Sequence, residues 1–139
     1  MPNPTALKFA WPRSRIAATA CWTVQLRPKQ PTLGGLVVVA REPVTAFSDL
    51  SPQAFAELRA VTAGVERLLK GFVDYQRINW LMLMMVDPDV HFHVIPRYEG
   101  SRSWDGISFS DAGWPNPPAL SEAVSLDDAQ LEKLAAELA

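Results

Sequence analysis

Apolar positions along the chain repeat with two different periods. Phe55, Leu58, Val61, Val65, Leu68, Leu69 and Phe72 recur at helical spacing. Ser51 is suited to an N-cap and Pro52 to the first helical position, so a helix is predicted from there to Gly71. Elsewhere the apolar residues gather in short runs. "CWTVQL" and Leu36 to Ala40 read as two strands, separated by "RPKQPTLGG" with its turn-forming Pro and Gly. "NWLMLMMV" and "VHFHVI" flank "DPD", where Pro88 fits the first central position of a tight turn, and the two runs are predicted to pair as a hairpin. Residues 99–118 are rich in Gly, Ser, Asp, Trp and Pro and are predicted to be an irregular loop. A last helix is expected over 125–138, with Asp127 and Asp128 in its first turn and Leu131, Leu134 and Leu138 on one face. Residues 1–15 stand ahead of the first strand as an extension. This order of elements predicts a single α+β domain over 1–139, with an antiparallel sheet and helices packed on one face.

Composition narrows the function. At 139 residues and 48% apolar the chain has enough material for one packed core. Thirteen basic and fifteen acidic side chains give a net charge of -2, and no basic run is interleaved with aromatic residues, so a nucleic-acid polymer is not an expected partner. Cys21 is the lone cysteine and reads as a small buried hydrophobe. No run approaches the roughly 20 apolar residues needed to span a bilayer. The apolar stretch Ile16 to Val24 contains two Thr and leads into "QLRPKQ" without a cleavage-type sequence, so a cytoplasmic protein without a membrane partner is expected.

Candidate chemistry concentrates in "DPDVHFHVIPRY", which holds both histidines of the chain. Side chains alternate along a strand, so Asp89, His91, His93, Ile95 and Arg97 are predicted to share an open face opposite Val90, Phe92, Val94 and Tyr98. Imidazoles two residues apart stand roughly 6 to 7 Å from each other, close enough to hold one small anion or metal. Three readings fit these residues. One is a solvated strand face. Another is a two-histidine, one-carboxylate metal cluster at Asp89, His91 and His93. The third is nucleophilic catalysis at phosphorus, with one imidazole attacking while the other and Arg97 hold the phosphoryl oxygens. Trp104 and Trp114 would either stack on a base or be buried at a subunit interface, and Asp105 and Asp111 read as turn residues.

"DVHFHVIPRY" resembles the signature of the histidine triad superfamily of nucleotidyl hydrolases and transferases, in which three His alternate with apolar residues. The similarity reaches back through "WTVQLRPKQPTLGGLVVV" and forward to "GWPNPP". It implies a sheet of about five antiparallel strands and a homodimer. The implied substrate is a small nucleotide phosphoanhydride or phosphoramidate, such as a dinucleoside polyphosphate, and no cofactor or resident metal is implied. By the same resemblance His91 is the nucleophile and His93 the phosphate contact, with Asp89 and Asn79 as substrate-binding positions; Arg97 is added to these from its forked donors and its place on the same strand face. Asp89 stands where the family has its first His, making a DxHxH variant. Gly35 replaces a further family His, and Val86 and Met84 replace a hydroxyl residue and a Gly. These changes imply one alternative, a nucleotide-binding module with weakened catalysis, and the metal-binding reading with Asp89, His91 and His93 stays as another. A two-residue hairpin loop would place Val86, Met84 and Met82 beside the histidines and turn Asn79 to the opposite face.

Overall fold

The computed structural model describes residues 2–139. Its centre is a five-stranded antiparallel sheet built from β1 (Arg15–Ala18), β2 (Trp22–Leu26), β4 (Leu36–Ala40), β5 (Arg77–Leu81) and β6 (His91–Arg97), in the order β1-β2-β4-β6-β5. Two short pairs stand outside it: β3 (Lys29–Gln30) with β9 (Val124–Ser125), and β7 (Ser101–Trp104) with β8 (Ile107–Ser110). The helices are α1 (Pro4–Lys8), α2 (Pro52–Val73) and α3 (Asp128–Leu138).

Alternation sorts the two sheet faces. Trp22, Val24 and Leu26 oppose Ala40, Val38 and Leu36, and Phe92 and Val94 continue the row onto β6. This face is buried beneath Ala54, Val61, Val65 and Leu69 of α2 and Leu131, Leu134 and Leu138 of α3. Ser51 caps α2 by accepting from the Ala54 amide, and the indole of Trp22 donates to the Ala54 carbonyl at 2.8 Å, which locks the helix start to β2. Asp127 and Gln130 form a capping box at the start of α3. That helix therefore begins later than expected, because Val124 and Ser125 are taken by pairing with Gln30 and Lys29.

The opposite face departs from the sequence expectation in three ways. Helices do not all lie on one side: α1 crosses this second face, where Ala6 and Phe9 cover Val37 and Val39. The described part of the extension, 2–15, thus packs against the sheet. Asn3 caps α1 by accepting from the Ala6 amide and also donates to the Ala40 carbonyl, while the buried Gln25 amide donates to the carbonyls of Ala6 and Phe9. Second, the predicted tight turn at "DPD" does not form. β5 stops at Leu81 and β6 starts at His91, so "LMM" belongs to a nine-residue loop over 82–90, with Met84 at φ +54°. Third, residues 99–118 contain the β7–β8 hairpin, turned by Asp105 and Gly106, both at positive φ. Trp104 is buried within the chain and donates to Glu137 of α3 at 2.9 Å.

Leu69 joins α2 to the sheet and also reaches the loop between β3 and β4. It is fully buried, and Gly34, at φ +94°, would place a Cβ 3.1 Å from its Cδ2. Leu69→Ala is expected to cost about 2–5 kcal/mol in urea denaturation. A loss below about 1 kcal/mol would show that the interface collapses around the gap.

Candidate active site

Strand pairing on both sides of β6 fixes the two histidines. His91 lies opposite Val39 and His93 opposite Val37, while Leu81 of β5 lies opposite His93. Both imidazoles therefore project from the face that α1 covers, and their rings meet edge to face with centroids 5.0 Å apart. The expected open face is absent: His91 is 2% and His93 9% exposed. Both rings line a cleft of about 380 Å³ bounded by Lys8, Phe9, Arg27, Pro28, Lys29, Leu83 to Asp87 and Leu120. A space of that size suits a small ligand.

Each ring is held through Nδ1. For His91 the partner is the backbone carbonyl of Asp89 at 2.6 Å. A carbonyl can only accept, so Nδ1 carries the proton, and in the neutral ring Nε2 keeps its lone pair. For His93 the partner is Nη1 of Arg27 at 3.0 Å. The edge of the Phe9 ring also meets His93, at 5.8 Å between centroids. Burial, helped by the charges of Arg27 and His91, pushes the His93 pKa down to about 4.

The other predicted site residues are dispersed. Asp89 precedes the strand, and its carboxylate accepts from the Thr5 hydroxyl at 2.8 Å and the Thr5 amide at 3.3 Å. It anchors α1, and among the described residues no three of His, Cys, Asp and Glu come together as metal donors. Arg97 lies six residues beyond His91, roughly 20 Å along the strand, too far to share a phosphate with it. Its guanidinium is instead clamped by Asp111 at 2.7 and 3.0 Å, by Asn79 Oδ1 at 2.9 Å and by the Asn116 carbonyl at 2.7 Å. Asp111, expected as a turn residue, is the buried partner in this ion pair. Asn79 does share the histidine face, contrary to the two-residue-loop argument, because eleven residues separate the paired Leu81 and His93 and that odd number preserves the face. It sits opposite Ile95 and belongs to the Arg97 cluster, where Trp114 and Pro115 also lie. Val86 and Met84 reach the histidines through the loop, as lining of the cleft, and Val86 is 82% exposed.

Three cations that the sequence reading passed over surround the cleft: Lys8, Arg27 and Lys29. Lys8 bridges to Asp87 at 2.9 Å across it. Arg27 had a faint signal, since it follows "WTVQL" at the parity of Thr23 and Gln25, the face on which the histidines lie.

No family model matches the sequence, and no curated protein does. Solved structures do match. A histidine triad protein from Sinorhizobium meliloti superposes with a TM-score of 0.75 at 21% identity, covering 99% of this chain and 93% of that one. One from Bradyrhizobium japonicum gives 0.74 at 19% identity over 99% and 94% of the two chains. A Plasmodium falciparum diadenosine triphosphate hydrolase gives 0.68 at 11% identity over 91% and 74%. The chain has the histidine triad fold, an α+β arrangement around a five-stranded antiparallel sheet.

Arg97 and Asp111 are 5% and 1% exposed in their side chains, so removing one partner strands a buried charge. Asp111→Ala is expected to cost about 3–5 kcal/mol in chemical denaturation, and Arg97→Met combined with Asp111→Leu is expected to cost less than that single change. Equal losses would show that the cluster's shape, rather than the unpaired charge, sets the cost.

Proposed function

We propose that this chain is a nucleotidyl hydrolase or transferase in which His91 attacks the α-phosphorus of a small phosphoanhydride or phosphoramidate, such as a dinucleoside polyphosphate. The observation that carries the reading is the hydrogen bond from His91 Nδ1 to the Asp89 carbonyl, which leaves Nε2 unprotonated on a ring that lines a cationic cleft. The histidine triad fold, shared with a structure named as a diadenosine triphosphate hydrolase, supports it.

The chemistry has two steps. In the first, the Nε2 lone pair of His91 forms a bond to phosphorus, and the bond from phosphorus to the leaving oxygen or nitrogen breaks, with that atom keeping the electron pair. The ring becomes cationic, and the Asp89 carbonyl that accepts from Nδ1 stabilises the new charge. In the second, water attacks the nucleotidyl-histidine, the phosphorus–nitrogen bond breaks, Nε2 recovers its lone pair, and the proton lost by water passes to solvent. An acceptor other than water would make the same sequence a transfer. Lys8 and Lys29 neutralise the phosphoryl oxygens, and the apolar lining of Phe9, Leu83, Met85 and Leu120 offers contact area to the nucleoside.

One observation favours the nucleotide-binding alternative. Asp89 has its carboxylate engaged by Thr5, and the two residues at family polar positions on the loop, Met84 and Val86, offer no side-chain donor to a phosphate. Turnover separates the two readings.

His91→Ala is expected to abolish nucleotidyl transfer while leaving the folded circular dichroism signal in place. Mass spectrometry of the wild type with nucleoside phosphoramidates and dinucleoside polyphosphates should reveal an adduct of one nucleoside monophosphate, missing from the variant. Nucleotide binding without adduct or hydrolysis would favour the binding module, and hydrolysis by His91→Ala would sink the nucleophile assignment. The chain is also proposed to form a homodimer, because β5 is a sheet edge and Leu83, Met85 and Val86 leave an exposed apolar loop beside it. Sedimentation at micromolar concentration should give twice the 15.4 kDa chain mass, and a monomer would refute the assembly.

A further inference from the structure

The two imidazoles are chemically alike in sequence and are made different by their partners. Nδ1 of His91 faces a carbonyl, which only accepts. Nδ1 of His93 faces the Arg27 guanidinium, which only donates. A proton on Nδ1 of His93 would set donor against donor at 3.0 Å, so the neutral ring must carry its proton on Nε2. Neighbouring rings thus hold opposite tautomers: one offers a lone pair at Nε2, the other an N–H.

We infer that Arg27 is a positioning residue, which fixes the proton of His93 on Nε2 so that this ring donates to the phosphoryl oxygens while His91 attacks. The inference rests on the reading of His91 as nucleophile. With His93 in the other tautomer, two lone pairs would face an anionic substrate, and the developing charge would lose a donor.

The segment carrying Arg27 is built to hold it still. The buried Gln30 side chain donates to the carbonyls of Arg27 and Gly35 at 2.7 and 2.8 Å and accepts from the amides of Gly34 and Gly35. The Arg27 amide donates to the Gly35 carbonyl at 3.0 Å, closing the same loop. Among the described residues the buried Nε of Arg27 has no partner, and the side-chain hydrogen bond that the guanidinium makes is the one from Nη1 to His93. His93 meets charge from every side of the cleft: Arg27 from the segment after β2, His91 on its own strand, Lys8 on α1 and Asp87 on the loop. Of these only Asp87 favours the protonated ring.

Ring-nitrogen NMR of the wild-type protein reads the tautomer directly, and Arg27→Met and Arg27→Lys test its origin. We expect the wild type to show the His93 proton on Nε2 and the His91 proton on Nδ1. In Arg27→Met, which keeps apolar bulk but no donor, the His93 tautomer should become mixed and its titration should rise above about 4, with burial still holding it below the ordinary range. Arg27→Lys, still a pure donor, should keep the wild-type tautomer. In turnover, Arg27→Met should lower kcat roughly 10- to 1,000-fold with a smaller change in KM, and a second group should enter the acid limb of its pH profile. A wild-type His93 protonated at Nδ1, or an Arg27→Met protein with unchanged tautomer and titration, would overturn the inference. If the tautomer follows Arg27 in a protein that never turns over a nucleotide, the positioning role stands and the nucleotidyl-transfer reading falls.

Discussion

The hydrogen bond between His91 Nδ1 and the Asp89 carbonyl is the constraint on which the rest of the site depends. It sets the free lone pair on Nε2, and it does so from a residue whose side chain is engaged elsewhere. The Asp89 carboxylate accepts from both the hydroxyl and the amide of Thr5, so the residue that orients His91 also fastens α1 over the sheet face. A buried imidazole needs a partner for its proton, since an unsatisfied donor away from water costs about 1–3 kcal/mol. The carbonyl supplies that partner without a carboxylate bonded to the ring. A third histidine is therefore not required at position 89 for orientation, and an acid there can serve the packing of the N-terminal segment.

The sequence made the sheet's interior and the long helix legible, because both rest on strong periodicity: Trp22, Val24 and Leu26 in alternation, and Phe55 to Phe72 at helical spacing. Two residues near each other on one strand were legible as well, and His91 and His93 do line the same cleft. What failed were arguments that depended on loop length or on partners distant in sequence. Parity put Asn79 on the wrong face, since alternation says nothing about how many residues separate two runs, and here the number is odd. Arg97 carried a residue type suited to phosphate, but a strand's rise removes it roughly 20 Å from His91. Its buried partner Asp111 lies across a hairpin and an irregular segment that composition alone described as loop. Arg27 was hidden for the same reason: its contact with His93 spans 66 positions in sequence.

The N-terminal segment decides from which side a ligand can reach the histidines. Val39 and Val37 are the cross-strand neighbours of His91 and His93, and both are covered by Ala6 and Phe9. A ligand cannot lie along those strands while α1 is in place. It must enter between Lys8, Lys29 and the loop from Leu83 to Asp87. The loop's exposed apolar residues thus stand at the entrance, and Asn79, Arg97 and Trp114 belong to a separate cleft at the far end of β6.

Charge is arranged to suit that entrance. The whole chain carries a net charge of -2, yet the cleft gathers Lys8, Arg27 and Lys29 against a single carboxylate, Asp87. Low-dielectric walls focus such a local excess, so an anion meets an attractive potential here even though the protein as a whole repels it. Lys8 is half-exposed and already paired with Asp87, so a phosphate entering the cleft competes with that carboxylate for the ammonium. An exposed pair is worth at most about 1 kcal/mol, a small cost to a ligand that brings two or more negative charges. Arg27 is paired with no carboxylate among the described residues, and its guanidinium donates to His93 instead. The exchangeable cation stands at the mouth and the fixed one at His93, whose ring centroid lies 5.0 Å from that of His91, so the charge draws an anion inward to the histidine pair.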